Sequence, residues 1–216
     1  MTLRDRPTAL LLDLDGVLRH FDPAVIVAAE RAAGLAAGTL LATAFRPDLL
    51  QPALVGEHSH DEWTAAVADE LTGPAGGAER ARAAVAQWRE HRGEVDPEVL
   101  ALVRELRAAG VPVGLATNST DLLDADLATL KLVGEVDAVI SSTAIGVPKP
   151  APEFFRRACE AIGTPPGRVL FIDDSDRMVR GARAAGLLAY RWTGPAGLRY
   201  VRAALLGSAA QPRGGS

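Results

Sequence analysis

Three apolar runs in this chain each stop at side chains able to bind a cation, hold a phosphate or move a proton. The run from Thr8 ends in Asp13 and Asp15, the run from Val111 ends in Thr117 and Asn118, and the run from Val169 ends in Asp173 and Asp174. A fourth feature is Lys149, one of only two lysines, set between Pro148 and Pro150. Carboxylates drawn together without compensation repel and raise one another's pKa, so a cation must offset them. Oxygen ligands with no His or Cys nearby favour a hard ion, and few carboxylates with room for substrate oxygens suit Mg²⁺. Lys149 supplies a further fixed positive charge.

Those residues converge only if the elements before them lie side by side. The Thr8–Leu12 run is continuously apolar, the pattern of a strand buried on both faces of a parallel sheet. From Pro97 onward the pattern alternates: helix to Ala109, strand 111–116, helix after Thr120, strand 136–141, helix 152–162, strand 169–172, helix 175–185 and strand 187–192. Such alternation predicts βαβ units and an α/β, doubly wound parallel sheet, whose sites form at the carboxyl ends of the strands. The stretch between has helical spacing at 23–33, 37–44, 60–71 and 78–92, with no strand expected, and breakers at Arg46-Pro47, Gln51-Pro52 and residues 73–77. The expected organisation is a core of residues 1–17 and 96–206, a helical domain of 18–95 inserted after the first strand, and a disordered tail over 207–216.

Composition narrows the function classes. At 216 residues, 48% hydrophobic and 23% charged, the chain reads as a folded globular protein. A net charge of -4 with dispersed basic residues excludes a surface built for nucleic acid. The apolar run near the N-terminus is interrupted at once by acids, so neither a signal peptide nor a membrane partner is expected. The single Cys159 permits no internal disulfide and points to a reducing, cytoplasmic setting. It is read as a buried small hydrophobe.

The segments LLDLDGVL (11–18), LATNS (115–119), VPKP (147–150) and FIDDS (171–175) resemble, in order, the four motifs of the haloacid dehalogenase-like hydrolases. The helical stretch resembles the cap that one subfamily places after its first strand. That resemblance implies Mg²⁺-dependent hydrolysis of a small phosphorylated metabolite through an aspartyl-phosphate. Asp13 would be the nucleophile, and Asp15 would protonate the leaving alkoxide and then deprotonate water. Thr117 and the backbone N–H of Asn118 would grip phosphoryl oxygens, with Lys149 balancing charge. The metal would take Asp13, the Asp15 carbonyl and Asp174, with Asp173 beside them. Relatives often carry Asn where this chain has Met178, which leaves the packing behind the metal loop open.

Plainer readings stand beside these. Asp-Gly is a common turn, Asp173-Asp174 could cap the helix from Ser175, and a lysine between prolines is by default a solvated loop residue. His58 and His60 have no third ligand spaced to join them, and Trp63 and Trp88 read as packing within the helical stretch. A phosphomutase of the same superfamily would keep every core residue named here. A dehalogenase would lack the second aspartate, a non-catalytic binding protein would have lost the nucleophile or acid, and a signalling receiver domain would lack the helical insertion. Oligomeric state is not encoded in any feature found.

Overall fold

The computed structural model describes residues 6–207. The expectation for the tail therefore falls, beyond Gly207, outside the described residues. Strand β1 (Ala9–Leu12) is wholly buried and sits at the centre of a five-stranded parallel sheet. Its neighbours are β4 (Val113–Thr117) and β6 (Val169–Asp173), with β5 (Ala138–Ser141) and β7 (Leu188–Arg191) at the edges. Because side chains alternate along a strand, Leu10 and Leu12 of β1 enter one hydrophobic cluster while Ala9 and Leu11 enter another on the opposite face. The first cluster is covered by α6 (Pro97–Ala108), α7 (Leu123–Thr129) and α11 (Ala196–Leu206). The second is covered by α9 (Pro152–Ala161) and α10 (Asp176–Ala184).

The chain leaves the sheet after β1 through β2 (Arg19–His20) and returns through β3 (Glu94–Val95), which pair antiparallel. This two-residue ribbon corrects the expectation of no strand in that region; it is too short to leave a period in the sequence. Between the two lie α1 (Pro23–Ala32), α2 (Thr39–Ala44), α3 (Pro47–Leu54), α4 (His60–Glu70) and α5 (Ala78–Glu90). They pack around a cluster of their own that includes Leu40, Trp63, Val67, Leu71 and Val85. Trp63 and Trp88 meet edge to face there, with centroids 5.5 Å apart.

Local chemistry explains several boundaries. Asp22 Oδ1 accepts from Ala24 N and Pro23 opens α1, while Ser59 and Glu62 form a reciprocal capping box on α4. The helix α3 was unexpected, since Pro47 and Pro52 read as breakers. Pro47 occupies the first helical position, where no N–H is needed, and Pro52 is tolerated within a helix of only eight residues. The short helix α8 (Ser142–Ile145) and α11 were likewise not expected. Among the described residues, no helix is long and apolar enough to cross a membrane.

Candidate active site

The sheet order places β1 between β4 and β6, so the connections leaving these strands run to opposite sides and open a crevice beyond their carboxyl ends. Asp13 stands directly after β1, with its N–H donating to Ile172 O at 3.0 Å. Thr117 closes β4 and is 1% exposed. Asp173 closes β6, with Asp174 the next residue out.

Lys149 links the two buried carboxylates. Its Nζ lies 2.9 Å from Asp13 Oδ1 and donates to Asp173 Oδ2 at 2.7 Å, and its side chain is 2% exposed. The default reading of a solvated loop lysine is thereby excluded. Its backbone is clamped by Asn118, whose Oδ1 accepts from Lys149 N at 2.7 Å and whose Nδ2 donates to Lys149 O at 3.0 Å. Close packing reinforces the clamp. Gly181 of α10 lies so near Pro150 that a Cβ at 181 would stand 2.4 Å from Pro150 Cβ.

Asp13, Asp173 and Asp174 each bring a carboxylate oxygen within 4.8 Å of the others. With Lys149 and every carboxylate ionised, this cluster carries two negative charges in excess, which a divalent cation balances. Burial pushes the Asp13 carboxyl up to about 7; Asp173 and Asp15 add to the rise and Lys149 opposes it. Burial also raises Asp174, with the neighbouring Asp173 adding to it. For Lys149, burial alone would lower the pKa, but Asp13 and Asp173 override it and hold the ammonium charged. Oxygen donors, mutual repulsion and the missing charge together fit a hard divalent ion. Gly16 makes room for the group: its φ is +81°, and a Cβ there would stand 2.2 Å from Asp174 Oδ2.

Asp15 stands apart from this cluster. Both residues lie beyond the end of β1, so strand alternation is not what relates Asp15 to Asp13; a turn closed by Gly16 N to Arg19 O at 2.8 Å sets the direction. The Asp15 carboxylate is held in a fork by Arg19, through Nε at 2.6 Å and Nη2 at 3.1 Å. Arg19 Nη1 also donates to Asp126 of α7 at 2.8 Å, which Arg92 approaches from β3's side at 3.2 Å. Neither Arg19 nor Asp126 was singled out from the sequence. They are 107 positions apart, and no local pattern announces a pairing at that separation. Met178, where relatives often carry Asn, packs partly buried against the cluster containing Phe155 and Phe171.

A cleft of about 920 Å³ opens above the rim, with Asp15, Asn118 and Lys149 on one wall and residues of α1 to α5 on the other. His60 bridges the two walls. Its backbone N–H donates to Asp121 Oδ1 at 2.7 Å, and its Nδ1 is 3.0 Å from Thr120 Oγ1. It thus joins the inserted helices to the loop after β4, while Cys159 is buried as expected.

Residues 7–186 match the family model for haloacid dehalogenase-like hydrolases. The protein Phosphatase MT3486 from Mycobacterium tuberculosis is 38% identical over 96 residues, which is 44% of this chain and 44% of that protein. The chain thus spans less than half the length of that curated relative. A plasmid-borne phosphoglycolate phosphatase from Cupriavidus necator is 29% identical over 210 residues, covering 88% of this chain and 84% of that one. Among solved structures, the Bacteroides thetaiotaomicron HAD family enzyme bt-2542, in complex with magnesium and inorganic phosphate, superposes with a TM-score of 0.67. It is 22% identical over 87% of this chain and 94% of its own. That likeness carries the fold.

Proposed function

Since the chain belongs to the haloacid dehalogenase-like hydrolases, we propose that it hydrolyses a small-molecule phosphate monoester through an aspartyl-phosphate on Asp13. The observation that carries this reading is Lys149 bridging Asp13 and Asp173 in a cluster whose three carboxylates fit one divalent ion. Two relatives named as phosphatases support it.

In this reading an Asp13 oxygen bonds to phosphorus as the ester oxygen departs, and Asp15 gives that oxygen its proton. Asp15, now a carboxylate, takes a proton from water as the water oxygen bonds to phosphorus and Asp13 is released with inorganic phosphate. Both oxygens of Asp15 are engaged by Arg19. Each Asp15 oxygen keeps a further site beyond its Arg19 bond, so Arg19 would hold the carboxyl in place while its proton passes to the leaving oxygen. Thr117 and the Asn118 backbone N–H would hold phosphoryl oxygens, and the Asn118 side chain keeps Lys149 over Asp13. Mg²⁺ held by Asp13, Asp174 and the Asp15 carbonyl, with Asp173 beside them, would neutralise charge on the transferring group. Residues 18–95 would act as a cap that excludes water while the first step proceeds.

The test is phosphate release from p-nitrophenyl phosphate with Mg²⁺. EDTA should abolish it, and Asp13→Asn should lower kcat by about 10³-fold or more, a loss of about 4 kcal/mol of barrier stabilisation. Turnover that survives either treatment contradicts the proposal.

A further inference from the structure

Resting on the phosphatase reading, we infer that the substrate's alcohol portion is bulky and hydrophobic, so that this site takes apolar phosphate monoesters rather than small phosphorylated carboxylic acids. Three observations converge on that class.

The first is shape. A cleft of about 920 Å³ is at the upper end of what small-molecule sites enclose and far exceeds what a two- or three-carbon phosphate fills. The second is the wall facing the catalytic rim. Its apolar members are Leu41, Phe45, Leu50, Leu54, Trp63 and Trp88, all contributed by α2 to α5 or the residue that ends α2. Phe45 stays 57% exposed and Phe21, near the entrance strand, 42% exposed. These rings are wetted apolar surface, and both border the cleft. An apolar ligand group would remove that surface from water, at about a four-fold gain in affinity per methylene buried.

The third is charge. A phosphorylated carboxylic acid brings a second anion, whose burial demands a cation of its own. The arginines in the cleft are already engaged: Arg19 by Asp15 and Asp126, Arg92 by Asp126, and Arg89 by Asp61. Lys149 is engaged by Asp13 and Asp173. Among the described residues of the cleft, that leaves Arg177, which is exposed near the start of α10. The cleft therefore offers a polar end at the rim and, facing it, a wall of apolar side chains interspersed with Gln51, His60, His91 and the paired Arg89 and Arg92.

The experiment is calorimetric binding of n-alkylphosphonates, from ethyl to octyl, to the Mg²⁺-loaded protein, alongside hydrolysis of the matching n-alkyl phosphates, phosphoglycolate and phosphoserine. Phosphonates are not hydrolysed, so they report the cleft directly. The expected result is Kd falling about four-fold per methylene over the first several carbons, and kcat/KM rising in parallel. Phe45→Asp should flatten both slopes. Phosphoglycolate and phosphoserine should fall at least about 100-fold below octyl phosphate in kcat/KM, the discrimination expected when a buried anion is left unpaired. Kd values that do not change with chain length, or carboxylate-bearing substrates turned over as well as octyl phosphate, would overturn the inference. If no ester is hydrolysed while the Kd series still tightens, the hydrolytic reading fails and the apolar cleft stands.

Discussion

Lys149 concentrates the electrostatics of the site in one side chain. Two carboxylates, from the ends of different strands, share its ammonium group where almost no solvent reaches. Removing one partner of such a cluster leaves charge buried without compensation, which costs far more than the intact arrangement contributes. Lys149→Met should therefore destabilise the EDTA-treated protein by about 3 to 5 kcal/mol in urea unfolding at pH 7.5. Lys149→Arg should not restore it, because a planar guanidinium does not reproduce the single ammonium nitrogen that bridges Asp13 and Asp173 at a buried position. Equal stability of Lys149→Met and the parent would mean that the carboxylates are paired elsewhere. At this scale the sequence was informative about identity: an isolated lysine between prolines and acids after apolar runs were legible from residue type. Arg19 was not, because nothing in the local string distinguishes an arginine that grips Asp15 and Asp126 from one that points to solvent.

At the scale of elements, α4 carries the contact that ties the helices to the sheet. His60, its first residue, reaches Thr120 and Asp121, and Arg89 and Arg92 lie close enough to affect its charge. Burial lowers the pKa of His60 below its usual 6.5; Arg89 and Arg92 lower it further, against Asp121 and Asp126. The folded state therefore binds fewer protons than the unfolded state between the lowered value and 6.5, and stability rises with pH across that window. The contribution is fully present above 6.5 and is lost as pH falls through the lowered value. His60→Gln should lose less stability than the parent between pH 7.5 and about 5, measured by urea unfolding at each pH. Parallel slopes for the two proteins would exclude the linkage. Helices with strong signals, such as α1 behind Asp22-Pro23 and α4 behind Ser59, were legible within a residue or two. The ribbon β2–β3 and helix α8 were not, since elements of two to four residues hold about one period and so show no repeat.

The whole molecule is built around separate hydrophobic interiors: two flank the sheet and one lies within the helices between β2 and β3. Its tryptophans report on different interiors, with Trp192 beside the sheet and Trp63 and Trp88 among the inserted helices. Leu102 is fully buried in the sheet-side cluster. Leu102→Ala should cost about 2 to 5 kcal/mol there. It should move the unfolding transition seen by Trp192 fluorescence more than the one seen in a Trp192→Phe background. Coincident shifts would show that the interiors unfold as one cooperative unit. By itself the sequence determined which residues follow the strands at the rim, that the sheet is parallel with its first strand buried, and which side chains carry reactive oxygens. These follow from residue type and from periods of two or 3.6, which are local properties of a chain. Only the tertiary structure decided that Lys149 lies between Asp13 and Asp173, that Arg19 holds Asp15, and that apolar side chains from the inserted helices face the rim. Ion pairing and cleft shape depend on which distant segments packing brings within a few ångströms, and the energy of such contacts is set by burial that no single segment possesses alone.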